Sequence, residues 1–396
     1  MRYHRHRRLP LGLNGSLLAF TSVLLVFSIA SSMDEPIFSR FTELFASNPA
    51  ILGGLIALTS ISYLLACEPA GALVDKAGTR HTIALGVSLE AASFIAFWLA
   101  TNIPLYIFAG IIAGVGSAIT WSAARVFVAD FSTDHTRGKA FGLYSMSWGI
   151  GWAVGPLVGG VVALSDIRLT FLAAGLFMAL TVPAFLAVTP KWEDKRSLGS
   201  SVTGVGSAFS RGTRFLKGAT NRVRWLFFAY ISTYFFWSVL WIFAPLLFEE
   251  FSSVQVGLLF FANALAYSIT ALGAGSLADK YDKKTLLTLG FLASAAGMVA
   301  FVLNGSFPIA ILIGIIIGFT TAFTQPIIDT LMVTHVKKKE WGVATGLSLV
   351  VLEIGTISAS AVGGIIAAIG GFAAPFWFAA AVCVVGAVGT ALVFKK

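Results

Sequence analysis

Twelve apolar stretches, each long enough to cross a bilayer, run through this chain and limit the folds open to it. A helical span needs about 20 mostly apolar residues. Stretches of that kind lie at 14–38, 50–74, 81–101, 103–129, 141–164, 168–188, 224–248, 254–278, 284–304, 307–334, 342–369 and 372–393. Within hydrocarbon every backbone N–H and C=O must be bonded inside the protein, so such stretches become helices. Hydrophobic residues make up 57% of the 396 and charged residues 11%, which leaves too few polar groups to cover a water-soluble globule. The chain reads as an all-α integral membrane protein.

The second constraint is an internal repeat. Gly71, Asp75, Lys76, Gly78 and Arg80 form a glycine-and-charge signature that returns 204 residues later as Gly275, Asp279 and Lys280, with Asp282 in place of the second glycine. The same offset carries Gly142 onto Gly346 and the pair Gly159–Gly160 onto Gly363–Gly364. Duplication of an apolar chain predicts two pseudo-symmetric six-helix bundles, with substrate handled where they meet. The expected division is a first bundle over 1–188, a linker over 189–222 and a second bundle over 223–396. The linker is the one long polar stretch, and 204–217 within it has the pattern of a short amphipathic surface helix.

Charge fixes an expected orientation. With the N-terminus inside, 24 of the 27 Lys and Arg residues fall on the cytoplasmic side, leaving Arg40, Arg125 and Arg168. Both termini are therefore expected in the cytoplasm of a multi-pass cell-membrane protein. The net charge of +9 is spread over these loops, so membrane orientation accounts for it and no nucleic-acid partner is implied. Cys67 and Cys383 both lie in apolar runs and read as buried thiols, with neither disulfide nor metal pair expected.

Over essentially its whole length the chain resembles the major facilitator superfamily. The Gly71 to Arg80 stretch is similar to the family signature between spans two and three, and the Gly275 to Lys280 copy sits at the equivalent place in the second half. In such a signature Gly71 would let a neighbouring helix approach, and Lys76 and Arg80 would stay in the headgroup layer. By the resemblance Asp75 would meet the start of the span near Gly342, where a helix dipole favours an anion, and lock the halves together.

The fifth span carries Gly151, Gly155, Pro156, Gly159 and Gly160, which resembles the antiporter motif of the superfamily. Glycines four apart offer a groove for tight helix packing, and Pro156 removes one backbone hydrogen bond. The counterpart, Gly355, Ala359, Ser360, Gly363 and Gly364, has no proline. Drug–proton exchangers of the family carry an arginine four residues before a glycine in span four; here Gly110 stands before Gly114.

Charges within the bilayer are costly and point to function. Asp34, Glu35, Glu68, Glu90 and Glu353 are the candidates for proton coupling or substrate contact. Acids exceed bases there, and an unpaired buried acid tends to take a proton, as a proton-coupled carrier requires. Arg125 and Asp329 are counterparts across the 204-residue offset with opposite charges, which suggests a salt bridge closing a cytoplasmic gate. Alternatively each is neutralised within its own half.

Trp121, Trp237 and Trp241 are candidates to line an aromatic pocket, with lipid-facing positions as the alternative. Neither glycine-rich stretch fits a nucleotide-binding loop, and the chain has no catalytic triad or metal-ligand cluster in sequence, so no enzyme, cofactor or metal is expected. The sequence thus predicts a monomeric secondary transporter working by alternating access, whose partners are a small-molecule substrate, protons and membrane lipids. Proton-driven export of an apolar or amphipathic compound is the favoured reading. A proton-coupled importer or facilitator, a lipid flippase and a non-transporting membrane sensor are the alternatives.

Overall fold

The computed structural model describes residues 15–133, 135–189, 205–337 and 340–394; the side chains of 205–211, 272–280, 333, 341, 342 and 345 are outside the description. The basic N-terminal tail and linker residues 190–204 therefore lie outside the described residues. The described chain forms thirteen helices: α1 (Gly15–Ser31), α2 (Phe38–Glu43), α3 (Pro49–Leu99), α4 (Ile103–Asp130), α5 (Arg137–Val162), α6 (Ile167–Val188), α7 (Val205–Gly218), α8 (Asn221–Leu247), α9 (Ser253–Lys280), α10 (Lys283–Leu303), α11 (Phe307–His335), α12 (Trp341–Gly370) and α13 (Ala374–Val393).

Ten of these helices are long and apolar enough to cross a membrane. The longest, α3, has 51 residues and is two spans joined at Gly78, where φ is 77° and ψ is 157°. That backbone conformation is open to glycine and strained for other residues. With α3 divided and the shorter apolar α1 included, the described residues hold the twelve apolar helical segments that the sequence predicts. Large apolar side chains stay exposed on their outer faces, Leu180 at 70% and Ile369 at 85%, which suits lipid rather than water.

Short polar residues start several helices. Asn102 accepts from the Leu105 N–H at 2.9 Å, Thr220 from Val223 at 3.4 Å, and Asp282 from Thr285 at 3.0 Å. Each satisfies a first-turn donor that the helix itself cannot. The linker contains α7, over the stretch whose sequence admits either an amphipathic helix or disorder. Its C-terminal carbonyls, Leu216 O and Lys217 O, accept from Arg224 at 3.0 and 2.7 Å.

Span one departs from expectation. The sequence runs it to residue 38, but α1 stops at Ser31 and 32–37 is a series of turns before α2. Pro36 disfavours helical backbone at Glu35, and the Ser32 hydroxyl lies 2.9 Å from both the Ser28 carbonyl of α1 and the Gly151 carbonyl of α5.

By their contacts the residues form two compact units, Met1–Asp34 with Ser62–Val202, and Glu35–Ile61 with Thr203–Lys396. Residues 35–61 thus join the unit that holds the second repeat. In the first unit the core is aromatic: the Phe20 and Phe127 rings stack at 3.9 Å, with Phe27 and Phe185 beside them. In the second, Trp241 stacks on Phe260 at 4.2 Å, and Phe301 on Phe376 at 5.4 Å.

Candidate functional site

The glycine row of α5 lies against the last turn of α1 and the turns that follow. A Cβ built on Gly151 would fall 2.7 Å from the Ser28 carbonyl carbon, one on Gly155 2.5 Å from the Ile29 carbonyl oxygen, and one on Gly159 2.5 Å from the Met33 carbonyl carbon. No side chain fits at any of the three: the Ser28 Cβ and the Ser32 hydroxyl also crowd the first two, and at Gly159 the contact is main chain against main chain alone. Hydroxyls fasten the contact: Ser32 donates to Gly151 O and Ser147 to Thr21 O, each at 2.9 Å. Pro156 and Gly160 are buried in the same helix. The residues so held, 28–33, are those immediately before Asp34 and Glu35. Ser28 and Ser32 escaped the sequence reading; small polar residues at four-residue spacing in an apolar span were the available signal.

Asp34 and Glu35 are half-buried, and the boundary between the compact units passes between them. Glu90, in the second half of α3, is 4% exposed and packs on α4. A Cβ on Gly116 would meet its Cγ at 2.9 Å, Thr120 faces its carboxyl, and Asp34 is near enough to act on it electrostatically. Its Oε1 is buried with no hydrogen-bond partner among the described residues, and so is Oε2 of Glu68. Glu353 is half-buried on α12, near Tyr234 of α8.

Arg125 and Asp329 each have a tyrosine partner in their own unit. Arg125 Nε donates to the Tyr144 hydroxyl at 3.4 Å, whereas Asp329 accepts from the Tyr230 hydroxyl. The position equivalent to Tyr144 in the second repeat is Ser348, which lies near Tyr230 and donates to the Ala344 carbonyl at 3.0 Å. Tyr267 donates to Gln325 at 3.2 Å, and Tyr234 lies near Tyr267, Gln325 and Asp329. The second unit therefore gathers Tyr234 and three polar residues that sequence reasoning missed, Tyr230, Tyr267 and Gln325, around Asp329 and Glu353. Tyr230 and Tyr234, four apart on one span, were the signal.

The aromatic candidates separate. Trp241 is a core residue, 5% exposed and stacked on Phe260, so it lines no open pocket. Trp237 lies half-buried beside it at 5.3 Å. Trp121 sits edge-on between Phe27 at 6.0 Å and Tyr144 at 6.1 Å, next to the Arg125 contact.

In the signature, Gly78 supplies the left-handed turn between spans, and Arg80 donates to the Thr189 carbonyl at the C-terminal cap of α6. The helix dipole favours a cation there. Lys76 is exposed and Asp75 half-buried. Gly71 corrects an expectation: among the described residues a Cβ there would meet nothing within 4 Å, so it makes no close helix approach in this structure. The side chains of Gly275, Asp279 and Lys280 lie outside the described residues. Asp282, which replaces the glycine, caps α10 instead.

Comparison with known proteins follows the same lines. A sequence profile of the Major Facilitator Superfamily matches residues 15–220 and 226–396. "Multidrug resistance protein 2" of Bacillus subtilis (strain 168) is 26% identical over 370 residues, covering 91% of this chain and 90% of its own. The class C tetracycline resistance protein of Escherichia coli is 27% identical over 281 residues, 66% of this chain and 67% of its own. Among solved structures, the nucleoside transporter NupG superposes with a TM-score of 0.78 at 14% identity, over 96% of this chain and 100% of its own.

Proposed function

The chain belongs to the Major Facilitator Superfamily, and within that family of membrane transporters we propose that it is a proton-coupled antiporter exporting an apolar or amphipathic small molecule. The observation that carries this reading is the main-chain contact of Gly151, Gly155 and Gly159 with residues 28–33. It fixes the end of span one, and with it Asp34, relative to the span that bears the antiporter-like motif. The resistance named in the two relatives, to multiple drugs and to tetracycline, accords with export of compounds of that class.

In this reading Asp34 and Glu35, with Glu68 and Glu90, hold and pass the proton. An acid buried without a fixed cation is neutral when shielded and releases its proton when water reaches it. The substrate meets the tyrosine-lined acids of the second repeat, Asp329 and Glu353, with Trp121 and Trp237 as aromatic contacts. Both termini face the cytoplasm of a monomeric cell-membrane protein. The bundles run over 1–188 and 223–396, and the carrier alternates access between them. Arg125 and Asp329 exchange their tyrosine partners for each other when the cytoplasmic gate shuts, while Asp75 clamps the signature loop to the start of the span near Gly342.

The test is transport by the full chain in proteoliposomes with an imposed pH gradient, screened against cationic dyes, sugars, amino acids and labelled lipids. Dye or drug movement driven against the proton gradient, abolished by Asp34→Asn, is the expected result. Gly110, where related drug exchangers have arginine, is the observation on the other side. Solute moving with the proton gradient would establish an importer, lipid movement a flippase, and flux indifferent to the gradient would end the proton-coupled reading.

A further inference from the structure

Three arginines stand apart from the cytoplasmic cluster of positive charge, and two of them are spent on main-chain carbonyls at helix ends. Arg168 donates to Ala100 O at 2.5 Å and Trp98 O at 3.3 Å, at the end of α3, within the first repeat. Arg40, on α2, does something different. Its Nε donates to Pro245 O at 2.7 Å, Nη2 to Phe248 O at 2.7 Å and Nη1 to Phe251 O at 2.8 Å. Those carbonyls belong to the last turn of α8 and the turn beyond it, where helical N–H partners run out and the dipole favours a cation. A planar guanidinium serves three divergent acceptors at once, and an ammonium on a flexible stem does not.

The contact joins segments from the two sequence repeats, although both lie in one compact unit. The same stretch is fastened a second time. Gly53 and Gly364 approach so that a Cβ on either would fall 2.9 Å from the other's Cα, and one on Gly364 2.5 Å from Pro49 O. The repeat does not duplicate the device, since the counterpart of Arg40 is Ala244.

We propose that Arg40 is the latch of the outer gate: its bonds to Pro245, Phe248 and Phe251 hold the 35–61 stretch on the end of α8 in the state described, and their release opens the carrier to the outside. It is a positioning residue, acting through the α8–α9 turn rather than on substrate, and its role rests on the transporter reading above. Two elements that alternate as bundles cannot keep a bond that ties the start of the first repeat to the second throughout the cycle.

The test uses the full chain in nanodiscs, in a Cys67→Ala/Cys383→Ala background, with spin labels at Leu44→Cys and Glu250→Cys, both exposed positions. Double electron–electron resonance should give a short-distance population with Arg40 present. Arg40→Gln should raise the long-distance population about tenfold, the effect of losing roughly one net hydrogen bond. Arg40→Lys, keeping charge but not the fork, should fall between. A purely structural role would lower the melting temperature without adding the long population, and an unchanged distribution in folded Arg40→Gln overturns the latch. If Arg40→Gln cannot be recovered folded, Arg40→Lys decides: a new long population supports the latch and the starting distribution refutes it. No transport is needed for the measurement, so its outcome is separate from that of the proton-gradient assay.

Discussion

The two repeats place small residues at the same register on α5 and α12 and use them differently. On α5, Gly151, Gly155 and Gly159 meet the backbone of 28–33. On α12, Gly355 lies 2.9 Å, by its built Cβ, from both Ile231 O and the Tyr234 Cβ, Ala359 is fully buried, and Gly363 faces the Phe243 ring at 2.7 Å. The contrast is sharpest at the counterparts Gly159 and Gly363: the first meets main chain alone, the second only the Phe243 ring. A glycine row therefore specifies that helices can come close; the residues opposite decide whether they do. In the first repeat those residues are Ser28, Ile29, Ser32 and Met33, the last of them next in sequence to Asp34.

The largest expected effect breaks this asymmetry. Gly159→Ala drives a methyl into the Met33 carbonyl, where only main chain can give way, and should cost about 1–3 kcal/mol and at least tenfold in transport. Gly363→Ala meets the edge of a ring that can turn, and should cost under about 1.5 kcal/mol with transport largely kept. Thermal melting and efflux of both variants give the comparison. Equal losses would mean that the two rows do the same job.

The turn between the second and third spans of each repeat gives the next test. Gly78 turns the chain through positive φ, whereas Asp282 at the equivalent position caps α10 with φ −62°. Gly78→Ala should cost roughly 1–3 kcal/mol for a strained backbone, and Asp282→Ala about 1 kcal/mol for a lost cap. Gly78→Asp should not rescue the first turn, because a cap does not relieve positive φ. Chemical or thermal unfolding of the three variants would check the order.

The charged counterparts should differ by less. Tyr230→Phe removes a donor to a carboxylate, costing about 1.5–3 kcal/mol, whereas Tyr144→Phe removes a long contact to Arg125 worth about 0.5–1.5 kcal/mol. Melting temperatures read the difference, and a larger loss in Tyr144→Phe would reverse the assignment.

The division between what was legible in the sequence and what was not has a physical basis. Hydropathy and repeat spacing located the spans, because burial in lipid acts on each segment by itself, whereas the linker stretch that forms α7 reads equally as an amphipathic helix or as disorder. The end of span one was not legible: Ile37 and Phe38 continue the apolar pattern past the turns that begin at Ser32, and the α5 glycine row packed on residues 28–33 is more than 100 residues away in sequence. Arg40 carried no signal beyond being a positive charge outside the expected cytoplasmic set, since its acceptors are backbone carbonyls that any sequence possesses. The acids were visible as residues, but not that Glu90 packs on Gly116 or that Asp329 faces Tyr230.

The smallest expected effect is on pH. Burial, then the neighbouring Glu249 carboxylate, pushes the Glu43 carboxyl above its ordinary range, with Arg40 opposing. A carboxyl raised in the latched form binds its proton more tightly there than in the released form, so latching is favoured below the ordinary glutamate range and weakens as pH rises through the window just above it. The long-distance population between Leu44 and Glu250 labels should grow slightly across that window, and Glu43→Gln should flatten the dependence. Growth in the opposite direction would place the net charge effect elsewhere.

The central claim, that Asp34 held by the α5 glycine row couples export to protons, is tested most directly by substrate-driven proton movement. Proteoliposomes without an imposed gradient, loaded with a pH-sensitive dye, receive a transported drug on one side. The account predicts a counter-directed pH change for the natural chain, none for Asp34→Asn, and a reduced change for Gly159→Ala although its Asp34 is intact. A full pH change in Asp34→Asn, or drug transport in the natural chain without any pH change, would contradict it.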